Sequence, residues 1–253
     1  MRLLVSVRSA AEAGEAVAGG ADIVDAKEPA HGALGAVDPT VLQAIAAVLP
    51  PAMPLSLALG DCHRPEAAAE LVRGAIELLG PTRAERYLKI GFHGVDHPET
   101  LDQILGAAVA AASGSGFGIV AAAYADHSAI GSPAVEAVTA AAGRHRAAGV
   151  LVDTWGKDGP GLPGWMDAGA LRQWVAGSRA LGLLTAVAGS LTLEIIPQVL
   201  DCGADVIGVR GAACEGGRAG ALRRKRVAAL RAAIGGCTPD AAAGSVSQLS
   251  TYS

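Results

Sequence analysis

The stretch Asp22-Ile-Val-Asp-Ala-Lys-Glu-Pro29 decides how this chain folds. Its apolar residues read as a short buried strand, and period-two alternation puts Asp25 and Lys27 on one face. A carboxylate and an amine then stand together where the strand ends. Lysine is scarce, with Lys27, Lys89, Lys157 and Lys225 set against sixteen arginines. Where arginine supplies nearly every cation, a lysine marks a position that needs an amine, because only the amine loses its proton readily or forms an imine.

Outward from this stretch, strands and helices alternate. Arg2 to Val7 reads as a strand, and Ser9 caps a helix running to about Ala18 and stopped by Gly19-Gly20. After the opening stretch comes a turn-rich loop, His31 to Gly35, then a helix from Asp38-Pro39, a cap with proline at the first helical position. Strands follow at Pro54 to Leu59, Tyr87 to Gly91, Gly118 to Ala123, Val150 to Asp153, Leu184 to Ala188 and Asp205 to Val209. Between and after them, helices are expected over Pro65 to Leu79, Pro98 to Ala112, Pro133 to Ala147, Asp167 to Leu181, Thr192 to Leu200 and Leu222 to Ile234. Eight strand-helix alternations in a chain of 253 residues close most simply as one single-domain α/β unit, a (β/α)8 (TIM) barrel over residues 1–234; an open doubly wound sheet is the alternative. The remainder, 235–253, is rich in Gly, Ser, Ala and Thr and is expected to be a disordered tail.

An internal echo accompanies the alternation. Gly20 to Lys27 (GADIVDAK) resembles Gly203 to Arg210 (GADVIGVR), so helix stop, strand and terminal cation recur in one frame. Duplication explains this, and so does the common need of every helix-to-strand joint for the same residues.

Composition narrows the function. A formal net charge of -4 supplies no basic field for nucleic acid. The uncharged run Gln103 to Ala125 is broken by Ser113-Gly-Ser-Gly116, so it reads as helix, loop and strand rather than a membrane span. The four cysteines lack any CxxC pair, and of five loop histidines (His31, His63, His93, His97, His127) only His93 and His97 stand at HxxxH spacing, across a glycine-bearing loop with no helix to set both on one face, so no metal is expected. The single GxGxxG string, Gly159 to Gly164, carries two prolines and lies in a long loop, not at a tight strand-to-helix turn; there is no GxxxxGK[ST], and no cofactor is assigned. The expectation is a cytoplasmic protein with a small-molecule partner, assembled from identical subunits.

In a barrel the carboxyl ends of the strands form the active face. Asp25, Lys27, Lys89, Asp153, Lys157 and Arg210 all fall at or just after such ends. Ala188-Gly189-Ser190 and Arg210-Gly211-Ala212 follow strands seven and eight, where glycine lets backbone N–H groups approach an anion, so Gly189, Ser190, Arg210 and Gly211 are candidate phosphate contacts. Gly216-Gly217-Arg218 can extend that cradle. A buried amine among phosphates points to imine chemistry, with Lys89 or Lys157 lowering the pKa of Lys27 and Asp25 moving protons.

The segments Ala18 to Pro29, Gly32 to Ala36, Tyr87 to Gly91, Ala122 to Asp126, Val152 to Thr154 with Lys157-Asp-Gly159, Ala188 to Ser190, and Asp205 to Cys214 (DVIGVRGAAC) together resemble the (5-formylfuran-3-yl)methyl phosphate synthase family. The likeness runs in order over residues 1–234. It implies a class I aldolase-like lyase joining two glyceraldehyde 3-phosphate molecules into a phosphorylated furan aldehyde for methanofuran-type carriers. By the same resemblance Lys27 is the imine-forming lysine, Lys157 the second catalytic lysine, and Asp25, Lys89 and Asp153 the acid/base and orienting groups. Here Trp155-Gly156 separates Thr154 from Lys157, so the loop carrying that lysine is expected to have its own shape. Another imine-forming aldolase of phosphosugars, or a barrel that binds a sugar phosphate without reacting, uses the same residue types.

Overall fold

The computed structural model describes residues 1–81 and 83–235. Eight parallel strands close into a barrel in chain order: β1 (Arg2–Val7), β2 (Ile23–Ala26), β3 (Leu55–Asp61), β4 (Arg86–Gly91), β5 (Phe117–Tyr124), β6 (Gly149–Asp153), β7 (Leu184–Val187) and β8 (Val206–Val209). β8 returns to pair with β1, with Val5 opposite Val209. The open sheet is thereby excluded. The residues expected to form a tail lie outside the described residues from 236 onward, and Gly235 ends the last described helix.

Alternation along each strand sorts side chains into two cores. Leu3, Val5 and Val7 on β1, Leu88 and Ile90 on β4, and Val150 and Val152 on β6 face outward into a large apolar layer shared with the helices. Inward-facing Ile23, Val120, Leu151, Ala186 and Val206 fill the barrel itself. These inward residues are small or branched, and above them stand the polar ends Asp25, Lys89 and Asp153, all buried.

The outer helices include α1 (Ala10–Ala18), α2 (Pro39–Val48), α3 (Pro65–Leu79), α4 (Pro98–Ala112), the short α5 (His127–Ile130), α6 (Val135–His145), α7 (Ala168–Ala180), α8 (Ile196–Leu200) and α9 (Arg224–Gly235). Ser9 caps α1 by accepting from the Glu12 N–H at 3.2 Å. Asp38 sits at the cap position of α2 but makes no side-chain cap bond.

Local departures from the expected elements have physical causes. The helix expected from Thr192 begins only at Ile196, because Pro197 lacks an N–H and is tolerated in a first turn. Thr192 instead forms a turn, its Oγ1 accepting from the Ile195 N–H. Leu222, expected in the final helix, belongs to β10 (Ala221–Leu222), which pairs with β9 (Cys214–Glu215) in a two-stranded ribbon after β8. No described helix is long and apolar enough to cross a membrane.

Candidate active site

A cavity of about 550 Å³ opens at the carboxyl ends of the strands, lined by Asp25, Lys27, Lys89, Asp153, Lys157, the Gly189-Ser190 turn and the loop after β8. Two of its three lysines are committed to carboxylates. Lys89 on β4 reaches across β3 to Asp25 on β2, its Nζ 2.7 Å from Oδ1, while Ser6 Oγ donates to Oδ2 at 2.7 Å. The small Ala58, register partner of Lys89 on β3, leaves room for that crossing. Opposite, Lys157 Nζ lies 2.8 Å from Asp153 Oδ1 and also donates to the Thr154 carbonyl. The Thr154 N–H donates to the same carboxylate oxygen at 2.8 Å.

Lys27 is different. It sits one residue past the end of β2, 8% exposed, and among the described residues its amine has neither an ion pair nor a hydrogen bond. Burial therefore dominates its titration and lowers its pKa to about 8; the carboxylates of Asp153 and Asp25 work against that shift, and the cations Lys89 and Lys157 work with it. At pH 7 a lysine near pKa 8 is neutral in roughly one molecule in ten, against about one in 10³ for an unperturbed one. Asp153 moves the other way. Burial pushes its carboxyl up, but Lys157 and Lys27, with hydrogen bonds from Lys157 and the Thr154 N–H, outweigh this and leave it below the ordinary range. The site thus holds a buried, unpaired amine between two anchored lysine–carboxylate pairs.

Asp25 does not bond Lys27, although the two share a face of the strand; its partner is Lys89 from two strands away. Tertiary pairing across the barrel mouth could not be read from strand alternation.

The turn after β7 has Gly189 at φ 113° and Ser190 at φ 50°, the latter a left-handed conformation uncommon for serine. A Cβ at Gly189 would come within 3.2 Å of the Thr154 backbone nitrogen, so glycine is required by both space and φ. Among the described residues, the N–H groups of Gly189, Ser190 and Arg210 donate to no protein acceptor. Those of Gly216, Gly217 and Arg218 are equally free among the described residues, and all six positions line the cavity. Free amides converging on a cavity are suited to an anion.

The Arg210 side chain is not free to contact a phosphate. Its Nε donates to the Arg218 carbonyl at 3.0 Å, Nη1 to Ser6 O at 3.1 Å and Glu12 Oε2 at 2.5 Å, and Nη2 to Glu12 Oε1 at 3.1 Å and Gly220 O at 3.2 Å. Every guanidinium donor is spent on the protein. Arg210 is the pin that holds the loop after β8 to β1 and α1, and only its backbone N–H remains for a ligand. Glu12, its partner from α1, was not singled out in the sequence, where it reads as an ordinary first-turn acid.

Three other groups were also passed over. Tyr124 OH donates to Asp61 Oδ1 at 2.7 Å, and the His93 N–H donates to the same oxygen at 3.0 Å, tying β5, β3 and the loop after β4 together. Gly91 makes this approach possible, since a Cβ there would lie 2.2 Å from Asp61 Oδ1. Asp126, just beyond β5, accepts from two amides of the loop that carries Lys157.

Against proteins of known identity, residues 3–231 match the family model described as 4-HFC-P synthase. The chain belongs to this family. Relatives named (5-formylfuran-3-yl)methyl phosphate synthase include one from Methanopyrus kandleri, 37% identical over 238 residues covering 92% of this chain and 98% of that one. Another, from Methanothermobacter thermautotrophicus, is 35% identical over 235 residues, covering 91% of this chain and 98% of that one. Among solved structures, a 3-hexulose-6-phosphate synthase superposes with a TM-score of 0.59 at 22% identity, over 92% of this chain and all of that one. The phosphoribosyl anthranilate isomerase of Thermotoga maritima does so with a TM-score of 0.61 at 14% identity, over 94% of this chain and all of that one. At such identities the structural likeness concerns the barrel alone. This member of the 4-HFC-P synthase family therefore carries, on a TIM barrel, the strand-end lysines and carboxylates described above.

Proposed function

We propose that the protein is a lyase that condenses two molecules of glyceraldehyde 3-phosphate into (5-formylfuran-3-yl)methyl phosphate through a Schiff base on Lys27. The observation that carries this reading is the unpaired, buried amine of Lys27, with its pKa of about 8, among amides free to bind phosphate. One triose phosphate, as its ketose form, is attacked at its carbonyl by the neutral amine, and the carbinolamine loses water to give the imine. The second triose phosphate, still an aldose, loses its C2 proton and then its phosphate to give an enol, whose terminal carbon attacks the imine carbon, so that the new bond at the ketose C2 sets the branch of the product. The hydroxymethyl oxygen then closes on the former C2 carbonyl, and expulsion of the amine frees Lys27. Asp25 with Lys89 and Asp153 with Lys157 flank the amine and serve as proton carriers and orienting groups on its two sides. Ring closure with elimination completes the balance: two triose phosphates give one furan phosphate, one inorganic phosphate and two waters. The phosphates rest on the amides of Gly189 and Ser190 and of Arg210 and Gly211. A cytoplasmic assembly of identical subunits acting without a cofactor completes the proposal, in the service of a methanofuran-type carrier.

Glyceraldehyde 3-phosphate supplied alone is expected to give a furan-aldehyde ultraviolet band and inorganic phosphate in equal amounts. Phosphate without the band, or neither, removes the condensation. The pH dependence follows from the sign of the Lys27 shift. The reactive form is the deprotonated one, so kcat/KM rises about tenfold per unit below pH 8 and levels off above it. Lys89→Met removes a neighbouring cation and frees Asp25, both of which raise the Lys27 pKa, so the acid limb is expected to move to higher pH. A profile flat through pH 8, or a limb that stays in place in the variant, contradicts the assignment.

A further inference from the structure

We propose that Asp126 is a positioning residue for Lys157, setting the geometry of the second lysine through the backbone of its loop. The inference rests on the catalytic role proposed for Lys157 and adds the group that holds it in place. Asp126 follows β5 and is 3% exposed, and it makes no ion pair among the described residues. Each of its oxygens is instead given to one amide of the neighbouring loop: Oδ1 accepts from Trp155 N at 2.8 Å and Oδ2 from Gly156 N at 2.7 Å. A buried carboxylate satisfied by successive backbone N–H groups is a rigid clamp, because each bond is charge-assisted and neither donor can rotate away.

The clamp sits immediately before Lys157. Its side chain must double back to Asp153, four residues earlier, to place Nζ 2.8 Å from Oδ1. The direction in which Lys157 leaves the chain is therefore fixed by the conformation at Trp155 and Gly156, which Asp126 dictates. Gly156 belongs to the same device, since a Cβ there would lie 3.2 Å from Asp126 Oδ2. The loop has further anchors in the stacking of Trp155 on His93, with ring centroids 4.5 Å apart and planes 15° from parallel, and in the bond from Leu162 N to Gly189 O at 2.9 Å. Those anchors lie on Trp155's ring and five residues beyond Lys157. The loop is thus expected to stay docked when the clamp is weakened, with the lysine out of place.

Asp126→Asn keeps one acceptor and turns the other into an NH2 group facing an N–H. In the full chain this variant is expected to form furan product at least about tenfold more slowly, since a displacement on the order of 1 Å costs up to 10²-fold. Borohydride trapping of triose phosphate on Lys27, which is held at the end of β2 and makes no bond to this loop, is expected within about twofold of the unsubstituted protein in the same assay. Gly156→Ala, which presses on the clamp from the other side, should show the same split in milder form. In a Lys157→Met background, Asp126→Asn should cost residual turnover less than about twofold, as groups acting through one another are non-additive. Unchanged furan formation overturns the inference, as does a parallel fall in trapping and turnover, or an equal loss in both backgrounds. Absence of trapping in the unsubstituted protein would sink the imine reading, while the comparison of backgrounds would still decide the role of Asp126.

Discussion

Lys27→Arg is expected to lower kcat/KM by at least about 10³-fold while leaving the barrel folded. The substitution keeps the positive charge but removes the chemistry, because a guanidinium stays protonated at any working pH and cannot form an imine. Its structural cost is small for a reason visible in the site. The Lys27 amine bonds to no other described group, so no ion pair or hydrogen bond is lost, and the side chain faces a cavity of about 550 Å³ that accommodates the larger head. Lys89→Arg and Lys157→Arg differ in this respect, since each disturbs a lysine–carboxylate contact below 3 Å. Initial rates of furan formation, read beside the far-ultraviolet circular dichroism of the same samples, check the expectation. An arginine variant retaining a tenth or more of the activity contradicts the role given to the amine.

Glu12→Ala is expected to cost about 3–5 kcal/mol of stability, the range for removing one partner of a buried ion pair. Arg210 holds its guanidinium in a site 5% exposed, with two bonds to Glu12 and the rest to carbonyls. Without Glu12 that charge stays buried with carbonyl dipoles alone to balance it. For a chain of this length the loss corresponds to a fall in Tm of roughly 10 °C. Glu12→Gln, which keeps the shape and one acceptor, should fall between the two. The same pin ties the loop after β8 to Ser6 and α1, so weakened phosphate binding should accompany lost stability, seen as a raised KM. Thermal unfolding measures the first effect and steady-state kinetics the second. A Tm within about 2 °C of the unsubstituted protein contradicts the assignment of Arg210 as a structural pin.

The strands were legible because their alternation is unambiguous: Val24 and Ala26 face one way and Ile23 and Asp25 the other, and the same holds at Leu88 and Lys89. Scarce lysines pointed to the site for a chemical reason that does not depend on the fold. The partners of those lysines were not legible. Lys89 finds Asp25 across an intervening strand, and Arg210 finds Glu12 almost the whole chain away, contacts set by barrel closure rather than by spacing. Arg210 looked like a phosphate ligand because glycines follow it. Its burial against α1, invisible in one dimension, assigns the side chain another task. Asp126 stood in the sequence only as the end of the segment Ala122 to Asp126, because its two amide partners come from a loop set beside it by the fold, and the short ribbon of β9 and β10 was hidden because two-residue strands carry no periodicity.

Borohydride reduction in the presence of triose phosphate, followed by mass analysis of the proteolytic peptides, tests the central claim most directly. The account predicts a stable adduct on the peptide containing Lys27, abolished by Lys27→Arg and more abundant as the pH is raised towards 8. Active protein that yields no adduct, or one on Lys89 or Lys157 instead, would contradict it.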